Sequence, residues 1–403
     1  MKVSVEGDVR LVLVSQAIRA FGYGFGAVLL ASTLVERGLS AISVGVVLGA
    51  LVAGTVVAQL AIARWADSWG RRRSYMTLYL ILGLSGFVFA SSAPLWLLVA
   101  IALTGALSAE VIESGPFTSL ELSMIAGRLD ANALTRGFGW YNAIAAAAGS
   151  LGALSAALPQ LARTFWDDAP PDRVWFLMFL PVAALGMFIA RRLSSRVEVA
   201  APPLKPATLG PSRSSVSRLA GLFALDAFAG GFVVQTLIAF WLIDRFDATT
   251  ATVGALFAAI GVIQTVSFLV APLLARRFGL LRTMVFTHLP SNLFLAAVAF
   301  APSLPVAAGL LLVRSSLSQM DVPTRQAYVM TLVTPEERTA AIAYTNTARY
   351  LVRPIGPLAA GAALTLAVGA PFLIAGLLKA IYDLALWSWF RTVPLAANKE
   401  TIK

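Results

Sequence analysis

The feature that most constrains this chain is a succession of apolar runs, each about as long as a bilayer is thick. Crossing ~30 Å of hydrocarbon as an α-helix takes about 20 apolar residues. Read between charged residues, proline and glycine, such runs fall near 11–34, 43–63, 74–91, 95–125, 137–158 and 174–190. The second half repeats the count, near 218–243, 251–274, 283–301, 304–333, 339–367 and 370–390. Twelve spans leave only short loops in 403 residues, and a chain 58% hydrophobic and 13% charged cannot cover a soluble surface of that size. The sequence predicts an all-α membrane protein of twelve transmembrane helices in two pseudo-symmetric six-helix bundles. It excludes a soluble enzyme.

The expected organisation is an N-terminal bundle over 1–190, a cytoplasmic linker over 191–217 and a C-terminal bundle over 218–403. Pro202, Pro203, Pro206, Pro211 and the surrounding Ser/Arg run give the linker no core-forming pattern. Met1 to Arg10 lacks the basic, apolar and small-residue order of a cleaved signal, so the first run is expected to stay as a span. With both termini cytoplasmic, 21 of the 31 basic residues lie inside, four lie outside (Arg37, Arg163, Arg173, Arg245) and six lie within spans. That asymmetry obeys the positive-inside rule, so the net charge of +11 reflects topology and not nucleic-acid binding. The expected location is the bacterial inner membrane. Short internal matches support a duplication: Arg19 to Phe25 aligns with Asp226 to Phe232, and Val44-Gly45 with Val253-Gly254.

Between the second and third spans the chain reads Ala63-Arg64-Trp65-Ala66-Asp67-Ser68-Trp69-Gly70-Arg71-Arg72-Arg73. Gly70 permits a tight reversal, the three arginines suit an interface with anionic headgroups, and Asp67 stands at a helix end where it can pair with a cation or a helix N-terminus. This stretch resembles the G-x-x-x-D-(R/K)-x-G-(R/K)-(R/K) loop of the major facilitator superfamily, with Ala63 and Ser68 as departures. The resemblance implies two six-helix halves, a midplane site, and a cytoplasmic gate at Asp67, Gly70, Arg71, Arg72 and Arg73. The matching loop of the second half, Ala275 to Arg282, has an arginine where the Asp would be. The basic residue and Gly-Pro motif of the drug-exporter branch are missing from spans four and five, where Leu103-Thr104-Gly105 and Gly149-Ser150-Leu151-Gly152 stand instead.

Ionisable side chains at the bilayer centre cost ~2.5–3.5 kcal/mol each even on the lenient insertion scale. The spans nonetheless hold Arg19, Arg314, Arg325, Arg349, Arg353 and Lys379 against Glu110, Glu113, Glu121, Asp226, Asp321 and Asp383. From these the expected substrate and proton pathway is Arg19, Glu110, Glu113, Asp226, Asp321, Arg325, Arg349 and Arg353. Arg314, Asp321 and Arg325 fall on one helical stripe, as do Arg349 and Arg353. Glu110 and Glu113 stand one turn apart, where two carboxylates resist ionising together. Arg19 and Asp226 occupy matching places in the repeats and are expected to pair, or jointly to meet substrate. The Gly-rich stretch after each can loosen its helix. Lys379 and Asp383 read as a local i, i+4 pair, and Pro323, Pro354 and Pro357 as interruptions of spans ten and eleven.

The expected function is secondary active transport of a small organic solute by alternating access, as proton-coupled efflux by an antiporter. The alternatives are uptake or exchange of an organic anion at an Arg-lined site, and a non-transporting membrane sensor. A hydrolase built on Glu110 and Glu113 lacks an identifiable partner on a second helix. No cofactor is expected. A phosphate-binding G-x-x-x-x-G-K-(S/T) loop is absent, cysteine is absent, and the single His288 cannot form a metal centre by itself. The expected partners are a small-molecule substrate, protons and the lipid bilayer, with no nucleic acid, and the chain is expected to be a monomer.

Overall fold

A computed structural model describes residues 2–108, 115–126, 131–198, 209–334 and 337–393, apart from the side chains of 2–6, 63, 67, 126, 131–140, 338 and 339. Its contacts cluster into two compact units, one of Met1–Pro203 with Val234–Gly261 and one of Leu204–Val233 with Val262–Lys403.

In the first unit, α1 (Lys2–Glu36), α2 (Ala41–Trp69) and α3 (Arg71–Ala90) are long apolar helices. Ser40 caps α2 by accepting from the Ser43 amide. Gly70 makes the α2–α3 reversal at φ 102°, a backbone conformation that strains any residue with a Cβ. The span expected over 95–125 is not one helix: α4 (Leu95–Ala102) stops early and α5 (Pro116–Ala126) restarts it. Next come α6 (Ala131–Ser155), α7 (Leu158–Phe165), a 3-10 turn at Asp172–Met178 and α8 (Phe179–Arg192). A Cβ on Gly152 of α6 would stand 1.9 Å from the Phe21 carbonyl oxygen of α1. On α1 itself a Cβ on Gly24 would stand 2.0 Å from the Gly149 carbonyl oxygen of α6, and Gly22 and Gly26 face the Phe179 ring, so these glycines serve close packing where a loosened α1 was expected, and α1 runs unbroken from Lys2.

The seventh span is broken into α9 (Arg213–Gly231) and α10 (Gln235–Phe246), and α10 packs on α1 within the first unit. In α11 (Thr250–Phe278) the turns up to Gly261 belong to the first unit and the rest to the second.

The second unit also contains α12 (Leu280–Val298), α13 (Leu304–Ser318), α14 (Asp321–Leu332), α15 (Arg338–Val352), α16 (Ile355–Leu366) and α17 (Ala370–Phe390). α12 packs on α17 and α13, and α9 packs on α15 and α17. One apolar core, including Val216, Phe223, Met284, Tyr328, Tyr382 and Phe390, joins α9, α12, α14 and α17. Pro323 sits in the first turn of α14, where its missing N–H costs little, and Pro354 marks the break between α15 and α16.

Among the described residues, eight helical stretches are long and apolar enough to cross a membrane. The spans outside that set are the fourth, tenth and eleventh, which are broken, and the ninth, where α12 buries His288, Ser291 and Asn292. Of the stretch expected as a linker, Arg191 and Arg192 end α8, Ser195–Glu198 forms a 3-10 turn with Val197 buried, and Arg213 already begins α9.

Candidate functional site

Each unit buries its own charged cluster. In the first, α1 brings Arg19 to Glu121 of α5, at 2.5 Å, with exposures of 1% and 0%. The same carboxylate accepts hydrogen bonds from the hydroxyls of Tyr75 and Tyr141, and Ser15 ties Tyr75 to Tyr79. The Arg19 guanidinium also lies over the Phe117 ring, 4.7 Å from its centroid. A buried carboxylate with one cation and two hydroxyl donors is well satisfied, and removal of Arg19 or Glu121 would leave the other charge stranded in apolar surroundings.

In the second unit the charges interlock. Asp226 of α9 accepts from Lys379 Nζ of α17 at 2.5 Å and from Arg325 of α14 at 3.2 Å. Arg325 also reaches Asp321 one turn back, at 3.2 Å. His288 of α12 places Nδ1 3.0 Å from Asp383 of α17 and Nε2 4.0 Å from Asp226. The Asn292 amide donates to Asp383 at 2.8 Å. Residues from α9, α12, α14 and α17 thus form one continuous network in which an imidazole stands between two carboxylates.

This arrangement changes several expected pairings. Where Arg19 and Asp226 were expected to share a pair, each has a partner in its own unit: Arg19 pairs with Glu121, and Asp226 with Lys379 and Arg325. Lys379 and Asp383 are not a local pair either, since Lys379 reaches across to Asp226 and Asp383 binds His288 and Asn292. The break at Gln319–Met320 separates Arg314 on α13 from the Asp321–Arg325 pair on α14, so the three do not share one helix. Arg349 lies late in α15 and Arg353 at its C-cap, both partly buried. Glu110 and Glu113 lie outside the described residues, as does the side chain of Asp67, whose backbone belongs to α2.

At the α2–α3 reversal, Arg71 does not face headgroups. It is buried, and its guanidinium donates to the carbonyls of Ser123 and Val197. Arg72 reaches the Arg191 carbonyl, and Arg73 is exposed. Glu198, unmarked in the sequence reading, accepts from the Arg71 and Arg72 amides at 2.6 and 3.2 Å and so caps α3 from a distant segment. In the second unit Glu337 accepts from the Gly210 and Ser212 amides ahead of α9. Burial raises the Glu337 pKa, but hydrogen bonds from the Ser212 side chain and from the Gly210, Ser212 and Thr334 backbone outweigh it and hold the group below the usual carboxylate value.

His288, Lys379, Asp383 and Asn292 also join the site beyond the expected set. Lys379 and Asp383 are visible in the sequence as charges inside a span and read there as a local pair, and the sequence signal for the other two is the single histidine with an asparagine one turn later inside an apolar span. Among the described residues, no group of three or more His, Asp or Glu side chains could hold a metal ion.

Residues 12–357 match the Major Facilitator Superfamily. A membrane protein of Saccharomyces cerevisiae, itself uncharacterised, is 25% identical over 390 residues, covering 88% of this chain and 87% of its own length. The solved structure of a bacterial homologue of the human lysosomal transporter Spinster, inward-facing and occupied, superposes with a TM-score of 0.74 at 14% identity, over 97% of this chain and 98% of its own. The human organic anion transporter MFSD10 superposes with a TM-score of 0.62 at 18% identity, over 95% and 99%. Likeness at these identities establishes a shared fold.

Proposed function

Because the chain belongs to the major facilitator superfamily, and is an integral membrane transporter and not an enzyme, we propose that it carries a small organic solute by alternating access, with protons coupled at the second unit's network. The observation that carries this reading is Asp226 held between Lys379 and Arg325 while His288 stands between Asp226 and Asp383. Moving one proton on or off His288 changes the charge beside Asp226 by one. At the reduced effective dielectric of a protein site, unit charges 4 Å apart interact by about 4 kcal/mol, enough to re-pair the network. A conformational equilibrium follows such a change only as far as the two states differ in affinity for the proton. The dry cluster of Arg19 and Glu121 belongs in this reading to the scaffold of the first unit. The segment from Asp67 to Arg73 serves as the cytoplasmic gate, with Glu198 holding the start of α3.

The test uses purified protein in liposomes containing a pH-sensitive dye, challenged with sugars, nucleosides, carboxylates and amines. Wild type is expected to move protons with one solute class, D226N to lose that flux, and H288Q to flatten its dependence on pH. Solute movement with no proton flux and no pH dependence would overturn the coupling.

A further inference from the structure

Every carboxylate of the second unit's network already has a cation or donor: Asp226 has Lys379 and Arg325, Asp321 has Arg325, and Asp383 has His288 and Asn292. Arg314 is left over. Among the described residues its guanidinium makes no hydrogen bond and no ion pair, and its Nε is enclosed without a partner. The side chain is only partly buried. It does not face outward, because Ala307, Leu311, Arg314 and Ser318 share the packed stripe of α13, whereas Val306 and Val313 occupy its exposed side. It lies within electrostatic reach of Asp226. On the same stripe, one turn on, the Ser318 hydroxyl also has no partner, and neither does the Tyr382 hydroxyl beside the network. The Tyr382 ring packs edge-on against His288 and is tilted against Phe223.

A buried donor with nothing to bind is costly, and a guanidinium presents a fork that matches the two oxygens of a carboxylate. Resting on the transport reading above, we propose that Arg314 and Ser318 form the recognition site for the single carboxylate of a small organic monoanion, whose apolar body lies toward Tyr382 and Phe223. The unpaired charge is a cation, so the site selects an anion over an amine, while the Ser318 and Tyr382 hydroxyls can serve either and the Asn292 carbonyl oxygen only accepts. The aromatic side chains suit an apolar body better than a polyol.

The test is binding and not transport, so it stands even if proton coupling fails. Detergent-purified protein is titrated with benzoate, its neutral isostere benzamide, and benzylamine, following the thermal unfolding midpoint. Benzoate alone is expected to stabilise wild type in a saturable way. R314Q is expected to weaken benzoate at least tenfold, as loss of a hydrogen-bonded charge of 1.5 kcal/mol or more requires. R314K should retain part of the affinity and S318A should lose a few-fold, each at a ligand-free midpoint no lower than that of wild type. Should R314Q fail to fold, R314K and S318A carry the test. Equal stabilisation by benzoate and benzamide, no stabilisation of wild type by benzoate, or benzoate affinity unchanged in these variants would overturn the assignment.

Discussion

The two units bury similar chemistry in different ways. In the first, Glu121 is fully enclosed and its oxygens are taken by Arg19, Tyr75 and Tyr141. In the second, three aspartates share Lys379, Arg325 and His288, while Arg314, Ser318 and Tyr382 keep donors that nothing fills. A satisfied cluster stabilises one arrangement of helices. A network with spare donors and a titratable imidazole has something left to bind and a proton to exchange. The difference lies in the charged groups: the Glu121 oxygens of the first unit are all taken, whereas Arg314 of the second has no anion to bind.

The largest effect should come from breaking the sealed cluster. E121Q leaves Arg19 without its counter-charge and is expected to cost about 3–5 kcal/mol, seen as a large fall in unfolding midpoint or in the yield of monodisperse protein. D226N should keep most of its stability while losing solute-driven proton movement. If D226N destabilises as much as E121Q, the division between scaffold and working cluster fails. Next in size is packing: G152A, which drives a Cβ into the Phe21 carbonyl, should cost about 1–3 kcal/mol. Its control G221A meets nothing within 4 Å and should be neutral or stabilising, by up to about 1 kcal/mol. The smallest effects belong to the helix-start carboxylates, where E198Q and E337Q should each cost about 1–2 kcal/mol. Because Glu337 is held below its ordinary pKa when folded, its contribution is complete above the unfolded value near 4.5 and disappears as pH falls through the folded value. Denaturation midpoints of wild type and E337Q should therefore converge in acid.

The architecture was legible because membrane burial writes itself into long apolar runs, and the loop from Asp67 to Arg73 gave the family. The pairings were not. Helical spacing relates residues on one helix, so it offered Lys379 with Asp383 and missed Lys379 with Asp226, which lie on α17 and α9. The breaks in the fourth and tenth spans were invisible to hydropathy, and the one at Gln319–Met320 separates Arg314 from the stripe on which it was read. Glycines near Arg19 looked like sites of loosening because a sequence does not show the facing helix whose backbone they admit. Export was preferred because carboxylates in the spans looked available for protons. Among the described residues of the second unit's network, Asp226, Asp321 and Asp383 are each engaged, and Arg314 beside that network has no anion to bind.

The central claim is that the second unit's spare donors meet water on both sides of the membrane in turn, while the first unit's cluster meets it on neither. The chain has no cysteine, so S318C and S15C each introduce one thiol by a nearly isosteric change. Labelling with a membrane-impermeant thiol reagent in right-side-out and inside-out vesicles tests the claim directly. The account predicts that S318C is modified in both orientations and S15C in neither. Modification of S318C from one side alone, or equal modification of the two variants, would contradict it.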